Sequence, residues 1–101
     1  MSHPGSIARD QVVLITGGTR GIGLATAEVF AAHGAQTVLT YKWGSADEGE
    51  VSRRIVAAGG PEPLIVQADI AREEDTHALM DLVQARFGRV DTFVSNASAA
   101  L

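Results

Sequence analysis

An α/β fold is predicted by this sequence, built as a doubly wound parallel sheet of four strands in the order 3-2-1-4 with three helices. Three observations carry that reading. Short apolar runs alternate with helical repeats from Gln11 onward, the pattern of strand-helix-strand units with right-handed crossovers. The first run, Val12-Val13-Leu14-Ile15, is apolar at successive positions, as a parallel strand covered on both faces must be. A glycine-rich segment, Thr16-Gly17-Gly18-Thr19-Arg20-Gly21-Ile22-Gly23, follows that run directly and opens the first helical repeat.

Each element has its own signal. Gln11 to Thr16 reads as the first strand. Gly21 to His33 reads as a helix whose Ile22, Ala25, Val29 and Ala32 recur at helical spacing, with Gly34 ending it. Gln36 to Tyr41 is the second strand, centred on Val38 and Leu39. Ala46 to Ala58 is the second helix, with Val51, Ile55 and Ala58 as its buried stripe and Gly59-Gly60-Pro61 as its stop. Pro63 to Ala68 is the third strand. Arg72 to Phe87 is the third helix, with Ala78-Leu79, Leu82-Val83 and Phe87 expected to face inward. Its first turn carries Glu73, Glu74 and Asp75 and its last turn Arg86, a polarity that suits the helix dipole. Val90 to Ser95 is the fourth strand, and the chain leaves it at Asn96.

The glycine turn has a chemical reading. Main-chain N–H groups at a helix start lack intrahelical partners, and the dipole places partial positive charge there. A pyrophosphate is a natural guest. Gly17 is expected to take positive φ, Gly21 to let a phosphate approach the backbone, and Gly23 to let the helix pack tightly. In an order 3-2-1-4 the sheet reverses direction between its first and fourth strands, where ligands bind. Both the glycine turn and Asn96 fall at that place.

Composition narrows the classes. At 101 residues, 46% hydrophobic and 20% charged, the chain is long enough for one domain with a modest core. A net charge of −4 offers no basic field for nucleic acid. There is no cysteine, so disulfides, thiolate zinc sites and a cysteine nucleophile are excluded; a reducing cytoplasm fits. No apolar run approaches the ~18 residues a bilayer span needs, and no membrane partner is expected. Residues 1–10 read as a flexible N-terminal arm. His3, His33 and His77 are scattered, and Glu73-Glu74-Asp75 reads as a solvated first turn, so no metal site is expected.

With these residues in view, the chain resembles the short-chain dehydrogenase/reductase family along nearly its whole length. The resemblance rests on the Thr16-to-Gly23 turn, on Asp69 after the third strand, on Ser95-Asn96-Ala97 after the fourth, and on the spacing of the elements. It implies a Rossmann-type fold, with residues 11–101 as a partial dinucleotide-binding domain. It also implies a nicotinamide coenzyme and hydride transfer to or from a carbonyl, hydroxyl or enoyl group. The expected coenzyme-binding residues are Thr16, Gly17, Thr19, Arg20, Gly21, Ile22, Gly23, Tyr41, Lys42, Asp69, Ile70, Asn96 and Ala97. In the family the acid at Asp69 contacts the adenine amino group; taken alone, Asp69 reads rather as a helix-start acid, and the glycine turn upstream favours the adenine contact. Ser95-Asn96-Ala97-Ser98 departs from the family's Asn-Asn-Ala-Gly segment at Ser95 and Ser98. Some enoyl reductases also depart from Gly here, so enoyl reduction stays open beside carbonyl reduction.

Charge argues for NADP(H). An NAD-binding sheet usually ends its second strand with an acid for the ribose 2′-hydroxyl. That place is held here by Tyr41 and then Lys42, with no acid until Asp47. Lys42 and Arg20 are expected to attract a 2′-phosphate, arginine as a fork and lysine as a point charge; the alternative is that both are solvated surface charges. The family's Ser, Tyr and Lys lie beyond the fourth strand. The only tyrosine and only lysine, Tyr41 and Lys42, are adjacent and cannot share a one-turn helical spacing. The chain is therefore expected to be truncated, to carry no catalytic residue and to be inactive alone. Two rivals remain: a nucleotide-binding module or subunit completed by another chain, homo-oligomers included, and an adenosylmethionine-dependent methyltransferase. The latter wants an acid where Tyr41 stands.

Overall fold

The computed structural model describes residues 10–43 and 47–96. Their order is β1 (Val12–Thr16), α1 (Gly21–Ala32), β2 (Gln36–Tyr41), α2 (Glu48–Ala58), β3 (Leu64–Gln67), α3 (Glu73–Phe87) and β4 (Thr92–Ser95). The strands form one sheet in the order β3-β2-β1-β4. All three pairings are parallel, with Thr16 opposite both Thr40 and Ser95 and Tyr41 opposite Gln67. This is the doubly wound fold that the alternation predicts. The carboxyl ends of all four strands lie together along one end of the sheet.

Alternation along β1 divides the core. Val13 and Ile15 face α1 and α2, where they meet Leu24, Ala27, Ala31, Val51 and Ile55. Val12 and Leu14 face the opposite side, packed with Leu79 and Val83 of α3. Every residue of β1 is buried, which is why its apolar run has no polar interruption. At the far end of the sheet Asp91 clamps β1 to β4: its Oδ2 accepts from the Val12 N–H at 2.7 Å, and its own N–H donates to the Val12 carbonyl. The Arg89 guanidinium and that Val12 N–H hold the Asp91 carboxyl below its ordinary range.

Two packing expectations are corrected. The face of α1 that meets the sheet is Gly23, Leu24, Ala27 and Ala31, not Ile22, Ala25, Val29 and Ala32. Ile22 is 78% and Val29 60% exposed. The helix is apolar on both sides, so spacing alone offers two stripes. Size decides between them: Gly23, Ala27 and Ala31 are small enough to bring the helix axis close to the strands. On α3 Leu79 and Val83 are buried and Phe87 packs partly buried against the same core, as expected, whereas Ala78 is exposed and Leu82 partly so. The stripe of α2, Val51 and Ile55, is as expected. Elements are also shorter at their ends, with β4 beginning at Thr92 rather than Val90 and β3 at Leu64 rather than Pro63.

Caps account for the helix limits. Asp47 accepts from the Glu50 N–H at 3.0 Å and starts α2. Gly59 and Gly88 take left-handed conformations that end α2 and α3. An ion pair between Arg54 and Glu28 joins the exposed sides of α2 and α1 at 2.8 Å.

Candidate functional site

The end of β1 builds the site first. Thr16 is fully buried, and the chain then turns through Gly17 at φ 65° and reaches α1 at Gly21 with φ 58°. Gly18 donates to the Thr40 carbonyl at 3.1 Å, so the turn is tied to the end of β2. Thr19 is nearly buried, and Arg20 is exposed in extended backbone at the N-cap. The first helical bond runs from the Leu24 N–H to the Arg20 carbonyl, leaving the N–H groups of the first turn without intrahelical acceptors.

The three helix starts differ. α2 is capped by the Asp47 side chain and carries Glu48 and Glu50 in its first turn. α3 carries Glu73, Glu74 and Asp75. α1 has no side-chain cap and no acid in its first turn. Its dipole end is therefore left uncompensated, next to an arginine that makes no ion pair among the described residues.

Gly23 locks the turn to α1. A Cβ there would lie 2.0 Å from the Gly17 carbonyl oxygen and 2.7 Å from the Asn96 amide nitrogen. The close approach expected of Gly23 is present, but it is made against the turn itself. At Gly21 an added Cβ would meet nothing within 4 Å, so this position is governed by its positive φ. Asn96 completes the lock. Its N–H donates to Thr16 Oγ1 and its Nδ2 to the Gly17 carbonyl, each at 3.1 Å.

The rim of the site comes from the ends of β2 and β3. Tyr41 donates its hydroxyl to Glu48 at 3.0 Å. That bond, then desolvation and the nearby negative charge, raises the Tyr41 pKa above its ordinary value. Lys42 Nζ lies 3.6 Å from Asp69 Oδ2 and 4.2 Å from the centre of the Trp43 ring. Asp69 is itself held. Its Oδ1 accepts from the Ala71 N–H at 3.0 Å, and its N–H donates to Asp75 at 2.8 Å. The side chain of Ile70 packs with the core under α3, and its carbonyl accepts from Thr76.

Of the residues singled out in the sequence, Thr16, Gly17, Thr19, Arg20, Gly21, Ile22, Gly23, Tyr41, Lys42, Asp69 and Asn96 thus gather at one end of the sheet. Ile70 is adjacent with its side chain turned inward, and Ala97 lies outside the described residues. Glu48 and Trp43 are additions. Glu48 stands seven positions beyond Tyr41 and reaches it only because α2 starts beside the end of β2; no spacing rule would have named it.

Among the described residues no helix is long and apolar enough to cross a membrane. The family model for short chain dehydrogenase matches residues 11–100. The chain is 40% identical over 87 residues to a 3-oxoacyl-[acyl-carrier-protein] reductase of Synechocystis, covering 86% of this chain and 35% of that protein. It is 44% identical over 92 residues to a 1-cyclohexenylcarbonyl-CoA reductase of Streptomyces collinus, covering 91% and 32%. Among solved structures it is similar to an NADH-dependent reductase, A1-R′, complexed with NAD. There the TM-score is 0.85 at 32% identity, over 94% of this chain and 39% of the other. A metagenomic short-chain oxidoreductase in complex with NADP gives a TM-score of 0.82 at 37% identity, over 91% and 41%. The chain spans about a third of the length of these curated relatives. With a parallel sheet in this order, a glycine turn locked by Asn96 and a family match over nearly all its length, the chain belongs to the short-chain dehydrogenase family.

Proposed function

We propose that this chain is the coenzyme-binding part of a reductase that prefers NADP(H) and moves a hydride between the nicotinamide and a carbonyl or hydroxyl carbon. The observation that carries the reading is the start of α1, uncapped and free of acid where α2 and α3 both carry carboxylates. N–H groups around Arg20 to Gly23 would take the pyrophosphate through the dipole and direct hydrogen bonds. Arg20 and Lys42 would take the 2′-phosphate, Asp69 the adenine amino group, and Asn96 would hold the turn in register near the nicotinamide-side ribose. Thr16, Thr19 and Tyr41 would shape the walls, with Ile22, the Ile70 main chain and Ala97 completing them. The bound coenzyme supplies the hydride. None of these residues is assigned a proton-transfer role. The chain alone is proposed to bind without turnover, in a cytoplasmic setting.

Two observations favour other readings. Glu48 brings a carboxylate to the end of β2, where such a group pairs with a ribose 2′-hydroxyl; this favours NAD(H). The similarity to a 1-cyclohexenylcarbonyl-CoA reductase keeps enoyl substrates beside carbonyl ones. Calorimetric titration with NADPH and NADH tests the coenzyme. NADPH is expected to bind about tenfold more tightly, a difference of about 1.4 kcal/mol. Replacing Arg20 and Lys42 together by Ala should remove the preference while NADH still binds. Equal affinity for the two coenzymes in the unaltered protein would overturn the NADP(H) assignment.

A further inference from the structure

Lys42 has a resident anion. Its ammonium lies 3.6 Å from Asp69 Oδ2, the two side chains being 40% and 24% exposed, and the Trp43 ring lies 4.2 Å away. The two partners are unequally mobile. Asp69 is fixed at Oδ1 by the Ala71 N–H and at its own N–H by Asp75. The main chain on either side of Lys42 is also fixed: the Ala68 N–H donates to the Tyr41 carbonyl, and Gln67 Nε2 donates to the Lys42 carbonyl. The flexible lysine stem is the part left to move.

We propose that Asp69 is a specificity-determining residue that acts through Lys42, as an internal substitute for the coenzyme's 2′-phosphate. The inference rests on the coenzyme reading above and deepens it. When NADH binds, Lys42 stays on Asp69 and keeps its partner. When NADPH binds, its 2′-phosphate, carrying up to about two negative charges at neutral pH, draws the ammonium off a single carboxylate. Discrimination is therefore reduced by the strength of the Lys42–Asp69 contact, and the site accepts both coenzymes more evenly than Lys42 alone would dictate. Arg20, which has no resident carboxylate among the described residues, exerts its attraction in full.

The test is a double-mutant cycle read as the ratio of NADH to NADPH dissociation constants, in which effects common to the two coenzymes cancel. Asp69→Asn keeps an oxygen for the Ala71 N–H and removes the charge. It is expected to raise the preference for NADPH about two- to fivefold, the range for a partly exposed ion pair. In the Lys42→Met background the same substitution should leave the ratio unchanged. Asp69→Ser, which also retains a turn-forming oxygen, should reproduce the gain if the Asn variant folds poorly. An unchanged ratio in both Asp69 variants would overturn the proposal. So would an equal gain with and without Lys42, which would mean that Asp69 repels the phosphate directly. If Lys42→Met alone leaves the ratio unaltered, the assignment of Lys42 to the 2′-phosphate falls as well. Loss of only the Asp69 effect leaves that assignment standing.

Discussion

At the glycine turn, the groups that face the site are main-chain N–H groups, fixed by two positive φ angles, a Gly18 bond to Thr40 and the two Asn96 hydrogen bonds. At the rim around Lys42, a few residues away in space, they are side chains: Tyr41 on Glu48, and Lys42 between Asp69 and Trp43. The turn is closed against its neighbours to the point where one methyl group does not fit. The rim is open to solvent, and its contacts are ion pairs and single hydrogen bonds of the kind that contribute about 0–1 kcal/mol each. The difference divides labour. A turn made of backbone presents the same N–H groups whatever surrounds it, whereas the rim can be changed by single substitutions without disturbing the fold.

Gly23 is where the turn tolerates least. Gly23→Ala gains about 1 kcal/mol of helix propensity but places a Cβ 2.0 Å from the Gly17 oxygen. Overpacking dominates, and the expected net loss is about 3 kcal/mol or more, read by urea denaturation, with coenzyme binding lost. Gly21→Ala is the control. It meets no atom within 4 Å but must hold φ at 58°, so its cost should be about 1–2 kcal/mol. If both variants were equally stable, the lock between turn and helix would not exist.

Asn96 comes next. Asn96→Ala removes one donor from the partly buried Gly17 carbonyl and is expected to cost about 1–2 kcal/mol. Asn96→Asp should be worse, since a carboxylate oxygen would face a carbonyl oxygen with no proton between them. Thermal melts of the two variants measure this. An Asp variant as stable as wild type would show that shape, not donation, holds the turn.

What the sequence makes legible follows the same division. The strand order and the glycine turn are local or periodic features: an apolar run, a glycine spacing, and Asn96 directly after a strand. They depend on backbone rules that act within a few residues. The face of α1 was not legible, because Ile22, Ala25 and Val29 are as apolar as Leu24, Ala27 and Ala31. Only the closeness of the sheet, which favours the small residues, selects between them. Glu48 was not legible either. The sequence holds no acid between Tyr41 and Asp47, yet the start of α2 returns a carboxylate to within 3.0 Å of the Tyr41 hydroxyl. Sequence distance and spatial distance part company wherever a loop closes between two elements, and the rim is made of such closures.

At Glu48 the effect is small, but it decides whether the rim is a structure or only a set of solvated charges. The Glu48 carboxylate accepts the Tyr41 O–H and opposes a negative phenolate, and both actions raise the Tyr41 pKa from 10.0. Glu48→Gln keeps an acceptor oxygen and loses the charge, so Tyr41 should titrate closer to its ordinary value. A raised pKa means the contact stabilises the fold fully below the ordinary tyrosine range and is lost as pH rises through the folded value. In the variant that loss should be smaller and complete at lower pH. Absorbance of the phenolate reads the titration, because Tyr41 is the only tyrosine, and urea denaturation across the same pH range reads the stability. The same substitution removes a negative charge from the end of β2 and should raise the NADPH preference about twofold, within the range of an exposed charge. A Tyr41 titration identical in the two proteins would show that the bond does not persist in solution. Glu48 would then have no fixed position from which to influence a 2′-phosphate, and the case for NAD(H) that rests on it would fail with it.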